Sequence, residues 1–74
     1  MPYASNADLP ANLQRILPDH AQDIFRDAFN HAFDAHSGEE RQEEIAHRIA
    51  WAAVKRVYVK TPDGWRRRAF SIRE

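Results

Sequence analysis

The sequence predicts a small, mainly α fold of the α+β kind, with three helices followed by a C-terminal β-hairpin. Apolar residues recur at helical spacing without a break between Pro18 and His36. A β-branched and aromatic run begins at Val57 and leads to the turn sequence Thr61-Pro62-Asp63-Gly64. Because 74 residues leave room for one core, we expect a single domain over residues 1–74.

Packing must stabilise this domain, because the chain contains no cysteine. That absence removes disulfides, thiolate zinc sites and thiol nucleophiles together, and it suits a reducing compartment. Four phenylalanines, two tryptophans and two tyrosines can each bury a large area. We therefore expect an aromatic-rich core.

The first helix is expected to be short. Asp8 is a favourable N-cap residue, and Pro10 is tolerated in the first turn of a helix. Pro18 should then end the helix near Ile16. Helical spacing predicts one apolar stripe that consists of Leu9, Leu13, Ile16 and Leu17.

The second helix should run from about Pro18 to His36, with Asp19 placed favourably for the helix dipole. Its inward face is predicted to consist of Ala21, Ile24, Phe25, Ala28, Phe29, Ala32 and Phe33. The other face is polar and is typical of a solvated surface; it includes Gln22, Asp23, Arg26, Asp27, Asn30 and Asp34.

The link to the third helix allows two interpretations. Ser37 and Glu40 have the spacing of a capping box, whereas Gly38 could equally end the second helix in a left-handed conformation. The third helix should run from about Glu39 to Val57, antiparallel to the second or steeply crossed. Its inward residues are predicted to be Ile45, Ile49, Ala52, Ala53, Val54 and Val57, with Trp51 on a flank.

The hairpin should follow directly, with Val57 to Val59 in its first strand and Trp65 to Arg68 in its second. Two strands alone are marginally stable, so the hairpin must pack on the helices. Pro2-Tyr3 is a candidate for a further edge segment. The tail from Ala69 to Glu74 is expected to be partly disordered.

Charge is distributed unevenly along a chain whose net charge is zero. Residues 1–44 hold nine acidic residues against three arginines, and residues 45–74 hold eight basic residues against two acids. This asymmetry indicates either an anionic partner for the basic half or neutralisation of one half by the other in the fold.

A nucleic-acid interface is the first specific hypothesis for the basic half. Basic residues alternate there with Tyr58 and Trp65, which is the composition of a nucleic-acid or anionic-membrane surface. The candidate DNA-binding residues are Lys55, Arg56, Lys60, Arg66, Arg67 and Arg68, with Arg73 beyond them. On a hairpin, Arg66 and Arg68 would share one face and Arg67 would take the other.

Catalytic and metal chemistry are not predicted. The order of the chain suggests no arrangement of Ser, Asp and His, so we expect no catalytic residue, no cofactor and no enzyme activity. Glu44-x-x-His47 lacks the partners that a di-metal bundle needs, and local pairs of Glu43 and Glu44 with His47 and Arg48 are favoured instead. The acidic residues Glu39, Glu40, Glu43 and Glu44 are weak candidates for a divalent cation, because they lack the spacing of a calcium loop.

The protein is expected to be cytoplasmic. Met1 to Asn6 has no basic start followed by an apolar run, which a secretory signal requires. The stretch from Ile49 to Val54 is too short to span a bilayer.

Several short motifs together resemble the ChaB family, and they extend from Met1 to about Trp65. They are Met1-Pro2-Tyr3, Asp8-Leu9-Pro10, Leu17-Pro18-x-His20-Ala21-Gln22-Asp23-Ile24-Phe25, Ala28-Phe29-Asn30, Glu43-Glu44-x-Ala46-His47 and Ala50-Trp51-Ala52-Ala53-Val54-Lys55. The resemblance implies three helices with a small sheet, similar to a cyclin-box-like arrangement.

The resemblance also implies a function. The family takes its name from a proposed regulator of a cation/proton antiporter that exchanges sodium or calcium, and related viral members look like DNA-binding proteins. The expected partner is thus the cytoplasmic face of an antiporter or another protein, with DNA as the alternative. Candidate partner-binding residues are the polar matches His20, Gln22, Asp23, Asn30, His47 and Lys55; capping and interhelical hydrogen bonds are the other explanation for them.

Overall fold

The computed structural model describes residues 3–68 and confirms the predicted fold class. A 3-10 turn precedes three helices and a two-stranded antiparallel sheet. The elements are the turn Asn6–Asp8, α1 (Ala11–Ile16), α2 (Asp19–Ala35), α3 (Gln42–Val57), β1 (Tyr58–Thr61) and β2 (Gly64–Arg67). The tail predicted to be partly disordered, Ala69 to Glu74, lies outside the described residues.

Helix α1 differs from the prediction at its start and in one apolar residue. It begins after Pro10, whereas Asp8 ends the preceding turn and accepts a hydrogen bond from the Ser5 backbone N–H. Its apolar stripe is made by three buried leucines at intervals of four residues, Leu9, Leu13 and Leu17. Ile16 is 43% exposed, so its predicted place in the stripe is wrong.

The two long helices form the core and run antiparallel. The start of α2 lies near the end of α3, where His20 contacts Tyr58. The end of α2 lies near the start of α3, where the Gln42 side chain donates a hydrogen bond to the Phe33 carbonyl. The core between them is rich in aromatic side chains, as predicted, with Phe25 and Phe29 fully buried.

Helix α3 presents only part of the predicted face to the core. Val54 is fully buried, as predicted, and Val57 is partly buried against the core. Ala46 and Ala50 are fully buried, whereas Ile49 is 40% exposed and Ala52 is also exposed. Phe25 and Phe29 of α2 are fully buried in the same core cluster as the two buried alanines. In a close-packed core, large side chains from one helix leave room for small ones from the other.

The link between α2 and α3 agrees with the second of the two interpretations only in the conformation of Gly38, which is left-handed with φ of 86°. Helix α2 ends at Ala35, and Gly38 lies in the following turn, which a hydrogen bond from the Glu39 N–H to the His36 carbonyl closes. Ser37 and Glu40 do not form a capping box at the start of α3, which begins at Gln42.

The hairpin pairs Tyr58 with Arg67 and Lys60 with Trp65, and its turn lies at the predicted position. Trp65 packs on Trp51 of α3, with ring centroids 5.4 Å apart. Tyr3 does not extend the sheet; its backbone is hydrogen-bonded to a side chain of α2, and Pro2 lies outside the described residues. Within residues 3–68, no helix combines the length and apolar character that a bilayer span requires.

Candidate functional site

Gln22 is part of the core and not of an exposed surface, so its expected exposure is wrong. Only 6% of it is exposed, and its amide Nε2 donates hydrogen bonds to the carbonyls of Leu17 at 2.9 Å and Gln14 at 3.2 Å. The last carbonyls of a helix lack intrahelical donors. The Gln22 side chain therefore serves as a cap for the end of α1.

Two further polar residues of the predicted set hold the N-terminal segment on α2. The Asn30 side chain makes two hydrogen bonds with the Tyr3 backbone, at 2.8 and 2.7 Å. Asp23 Oδ1 accepts a hydrogen bond of 2.7 Å from Asn6 Nδ2. These interactions agree with the hydrogen-bonding explanation for the polar matches.

The remaining three residues of that set lie at two places. His20 is at the start of α2, where its Nδ1 lies 3.2 Å from the Tyr58 hydroxyl. His47 and Lys55 flank Trp51 along α3, one turn before it and one turn after it. The His47 ring packs edge-on against Trp51, with centroids 6.4 Å apart. The structure thus brings His47 and Lys55 to one side of α3.

A tryptophan pair forms the centre of that side. The rings of Trp51 and Trp65 are tilted by 34°, and both are only partly buried. Beside Trp51 there is an open recess of about 480 Å³. It is lined by Glu44, His47, Arg48, Trp51, Ala52 and Lys55.

The hairpin adds two basic residues next to the pair. Lys60 lies directly opposite Trp65 in the sheet register, and Arg67 lies two residues after Trp65, so all three side chains share one sheet face. We call the surface formed by Trp51, Trp65, Lys55, Lys60 and Arg67 the tryptophan face.

The other three candidate DNA-binding residues lie elsewhere. Arg56 lines a groove between α2 and α3, and Arg66 pairs with Val59 on the opposite sheet face from Arg67. The Arg68 guanidinium Nε donates a hydrogen bond of 2.8 Å to the Lys55 carbonyl. The predicted division of Arg66 from Arg67 is confirmed, and the basic residues do not form one continuous stripe.

Two of the four acidic candidates for a cation make local ion pairs. Glu39 lies 2.7 Å from His36, and Glu44 pairs with Arg48, as predicted from their spacing, and with Arg41. The predicted pair of Glu43 with His47 does not occur among the ion pairs of the described residues. In the part of the chain that the structure describes, no group of three or more His, Asp or Glu side chains could hold a metal ion. Glu40 and Glu43 line the open surface beside His47.

Glu43 acts on a residue outside this acidic group. Burial, and to a lesser extent the charge of Glu43, raise the pKa of the Tyr3 phenol above its ordinary value. The start of α3 is therefore electrostatically coupled to the N-terminal segment.

The groove that Arg56 lines has a volume of about 950 Å³ and does not follow from the sequence pattern. Its apolar lining includes Ile24, Ala28, Ile49 and Ala53. Helical spacing predicts that Ile49 faces the core, whereas it lines this groove and is 40% exposed.

Comparison with known proteins gives one consistent result. The family model described as ChaB matches residues 9–68. Proteins named "Putative cation transport regulator ChaB" from Escherichia coli strain K12 and from Shigella flexneri are each 46% identical to the chain, with 85% of the chain and 91% of the relative covered.

A solved structure agrees with this match. It is described as "NMR solution structure of the putative cation transport regulator ChaB", is 43% identical in sequence and superposes with a TM-score of 0.81. The superposition covers 92% of this chain and all of that one. The protein described here is therefore a member of the ChaB family.

Proposed function

We propose that this protein is a non-enzymatic, cytoplasmic regulator that binds a cation transporter, with a cation/proton antiporter for sodium or calcium as the target. The observation that carries the proposal is the shared name of its relatives, which are 46% identical over most of their length. A regulator of transport acts by binding one state of its target better than another.

The division of roles among the polar residues supports a binding function. Gln22 and Asn30 form internal hydrogen bonds and thus fix the scaffold. The basic residues of the tryptophan face are exposed on the outside of that scaffold, and its two tryptophans are partly exposed. A rigid frame that carries partly exposed tryptophans suits recognition of another macromolecule, because such side chains dominate binding energy at interfaces.

Transport measurements test the proposal. Everted membrane vesicles would be prepared from cells that lack this protein, and sodium/proton and calcium/proton exchange would be followed with a pH-sensitive dye. Adding the purified protein should change the rate or the cation dependence of exchange, and the protein should co-purify with the antiporter. Unchanged exchange for both cations together with no co-purification would rule the proposal out.

DNA binding is the second candidate, and one observation favours it. Lys60 lies opposite Trp65 on the neighbouring strand, and Arg67 follows Trp65 by two residues on the same sheet face, an arrangement that suits a base stacked beside phosphate contacts. Fluorescence anisotropy with a labelled single strand and a labelled duplex, each at low and near-physiological salt, tests this candidate, since phosphate contacts weaken steeply as salt rises. Unchanged affinity after alanine substitution of Lys60 and Arg67 would exclude it.

A further inference from the structure

We propose that the tryptophan face binds an acidic segment with an apolar anchor residue, supplied by the transporter. This inference rests on the proposed function for the source of the segment.

The charges of the tryptophan face call for an acidic occupant. Within residues 3–68, the ion pairs are made by Arg26, His36, Arg41 and Arg48. Lys55, Lys60 and Arg67 lie on the tryptophan face, and none of them forms an ion pair with another described residue. Their positive charge therefore remains available for carboxylates of a partner.

The tryptophans supply a prearranged apolar surface between these cations. Trp51 packs edge-on against the buried ring of Phe25, at a centroid distance of 5.4 Å, and it also packs on Trp65. Side chains that are already fixed lose little entropy on binding. A partly buried tryptophan pair surrounded by charges has the composition of an interface hot spot.

The shape of this face favours a peptide over a bilayer or a duplex. The recess of about 480 Å³ beside Trp51 is concave and can take an apolar side chain, whereas a bilayer surface is flat. A protein that makes about 6–10 contacts to DNA phosphates needs a larger basic surface. The tryptophan face carries Lys55, Lys60 and Arg67, because Arg56 lines the groove between α2 and α3 and Arg66 lies on the opposite sheet face.

The nature of the proposed target is compatible with such a segment. Cation pathways through membranes are commonly surrounded by Asp and Glu side chains, which attract the ion. A positively charged face with an aromatic centre is complementary to acidic loops at the entrance of a cation pathway.

Peptide binding tests the chemistry directly. The probe is a short synthetic peptide of glutamates around one leucine, and its control is the same peptide with every glutamate replaced by glutamine. Tryptophan fluorescence and NMR shifts of the full chain would report binding. We expect the glutamate peptide to bind and to shift the signals of Trp51 and Trp65, and the glutamine peptide to bind at least about tenfold more weakly.

Two matched double variants test the location. Lys55→Glu with Arg67→Glu reverses two charges on the face, and Arg56→Glu with Arg66→Glu reverses the adjacent charges that point elsewhere. All four residues are exposed, so both variants should fold. The first should weaken peptide binding by about tenfold or more and the second by less than about threefold, since reversed charges add repulsion to the lost attraction.

The outcomes separate this inference from the proposed function. Equal weakening by both double variants, or equal binding of both peptides, would overturn the inference. So would binding of anionic vesicles or duplex DNA at the face without binding of the peptide. If the wild-type protein changes antiport and the Lys55→Glu, Arg67→Glu variant changes it equally, the tryptophan face is not the binding site, but the proposed regulatory function is supported. If antiport is unaffected while peptide binding follows the expected pattern, the transporter does not supply the segment, but the specificity of the tryptophan face for acidic peptides is supported.

Discussion

The side-chain amide of Asn30 pairs with the backbone of Tyr3 in both directions: Oδ1 accepts a hydrogen bond from the Tyr3 N–H, and Nδ2 donates one to the Tyr3 carbonyl. The Tyr3 ring packs on Phe29 in the same place, with centroids 4.9 Å apart. A single side chain of α2 thus fastens the N-terminal segment over the core.

Replacing this amide should loosen the N-terminal segment. Each partly buried hydrogen bond contributes about 0.5–1.5 kcal/mol, so we expect Asn30→Ala to lower the free energy of unfolding by about 1–3 kcal/mol. Urea denaturation measures the loss, and hydrogen exchange should be faster at the Tyr3 amide. His31→Ala, at the exposed neighbouring position, is the control and should cost less than about 0.5 kcal/mol. Equal losses in the two variants would show that the pairing does not stabilise the fold.

A buried carboxylate at position 22 should make stability depend on pH. In Gln22→Glu, burial would raise the pKa of the new carboxyl, and the carbonyls of Leu17 and Gln14 would repel its charged form. The unfolded chain ionises at a pKa of about 4.3. Stability should therefore be lost as pH rises above that value, because the unfolded state releases its proton first.

Urea denaturation at several pH values between acid and neutral measures this effect relative to the wild type at each pH. Gln22→Leu is the matched control, since it removes the same donors without a titratable group. Its loss should be about 1–3 kcal/mol and independent of pH. A Gln22→Glu variant whose deficit stays constant over this range would contradict the buried position.

The sequence predicts those elements that depend on local patterns. The span of α2, the hairpin turn at Thr61 to Gly64 and the left-handed alternative for Gly38 all follow from spacing or from the backbone preferences of single residues. The inward face of α3 follows only in part, because it depends on how the large side chains of α2 fill the core. Val54 is buried as the spacing predicts, but Ala50 is fully buried and Ile49 is 40% exposed, although isoleucine is the more apolar residue.

The candidate site was predictable only in part, for a similar reason. The positive charge and the aromatic content of the C-terminal half are visible in the sequence, and hairpin alternation separates Arg66 from Arg67. The roles of Gln22 and Asn30 depend on backbone groups that the fold brings to them. Asn30, for example, is hydrogen-bonded to the backbone of Tyr3, which lies 27 residues earlier in the chain. Spacing within a helix cannot show whether a polar side chain has such a partner.

The coupling of Tyr3 to Glu43 gives an expectation for alkaline pH. The pKa of Tyr3 is raised mainly by burial and then by the charge of Glu43. The unfolded phenol loses its proton near its ordinary pKa of about 10, before the folded one does. The contribution of Tyr3 to stability is therefore present below that pH and is lost as pH rises above it.

The measurement is the alkaline titration of tyrosinate absorbance, with Tyr3→Phe used to identify the signal. Glu43→Gln should lower the pKa of Tyr3 while leaving it above the ordinary value, because burial remains. Glu40→Gln is a control that removes the same charge from a neighbouring exposed position. A larger decrease in Glu40→Gln than in Glu43→Gln would contradict the assigned cause.

The turn after α2 should be sensitive to backbone strain alone. Gly38 has a φ of 86°, and a Cβ atom built on it would meet no other atom within 4 Å. Gly38→Ala should therefore cost about 1 kcal/mol through the left-handed conformation, without steric overlap. Gly38→Asn should cost less, because asparagine tolerates this conformation. Thermal denaturation ranks the two variants, and an Ala variant as stable as the Asn variant would mean that the turn has changed its conformation.

The packing of α3 predicts that adding apolar atoms at Ala50 destabilises the protein more than removing apolar atoms at Ile49, although hydrophobicity alone suggests the opposite. Ala50 is fully buried between the long helices, so Ala50→Leu should overpack the core and cost about 1–3 kcal/mol. Ile49 is 40% exposed at the groove, so Ile49→Ala should cost only about 1 kcal/mol, well below the 2–5 kcal/mol typical of a buried isoleucine.

Urea denaturation of the two variants measures both losses, with Ala52→Leu as a control that adds the same side chain at an exposed position of α3. We expect Ala52→Leu to stay within about 0.5 kcal/mol of the wild type. A greater loss in Ile49→Ala than in Ala50→Leu would mean that α3 is rotated about its axis. Because such a rotation would also move Trp51 and Lys55, this comparison checks the helix face on which the tryptophan face depends.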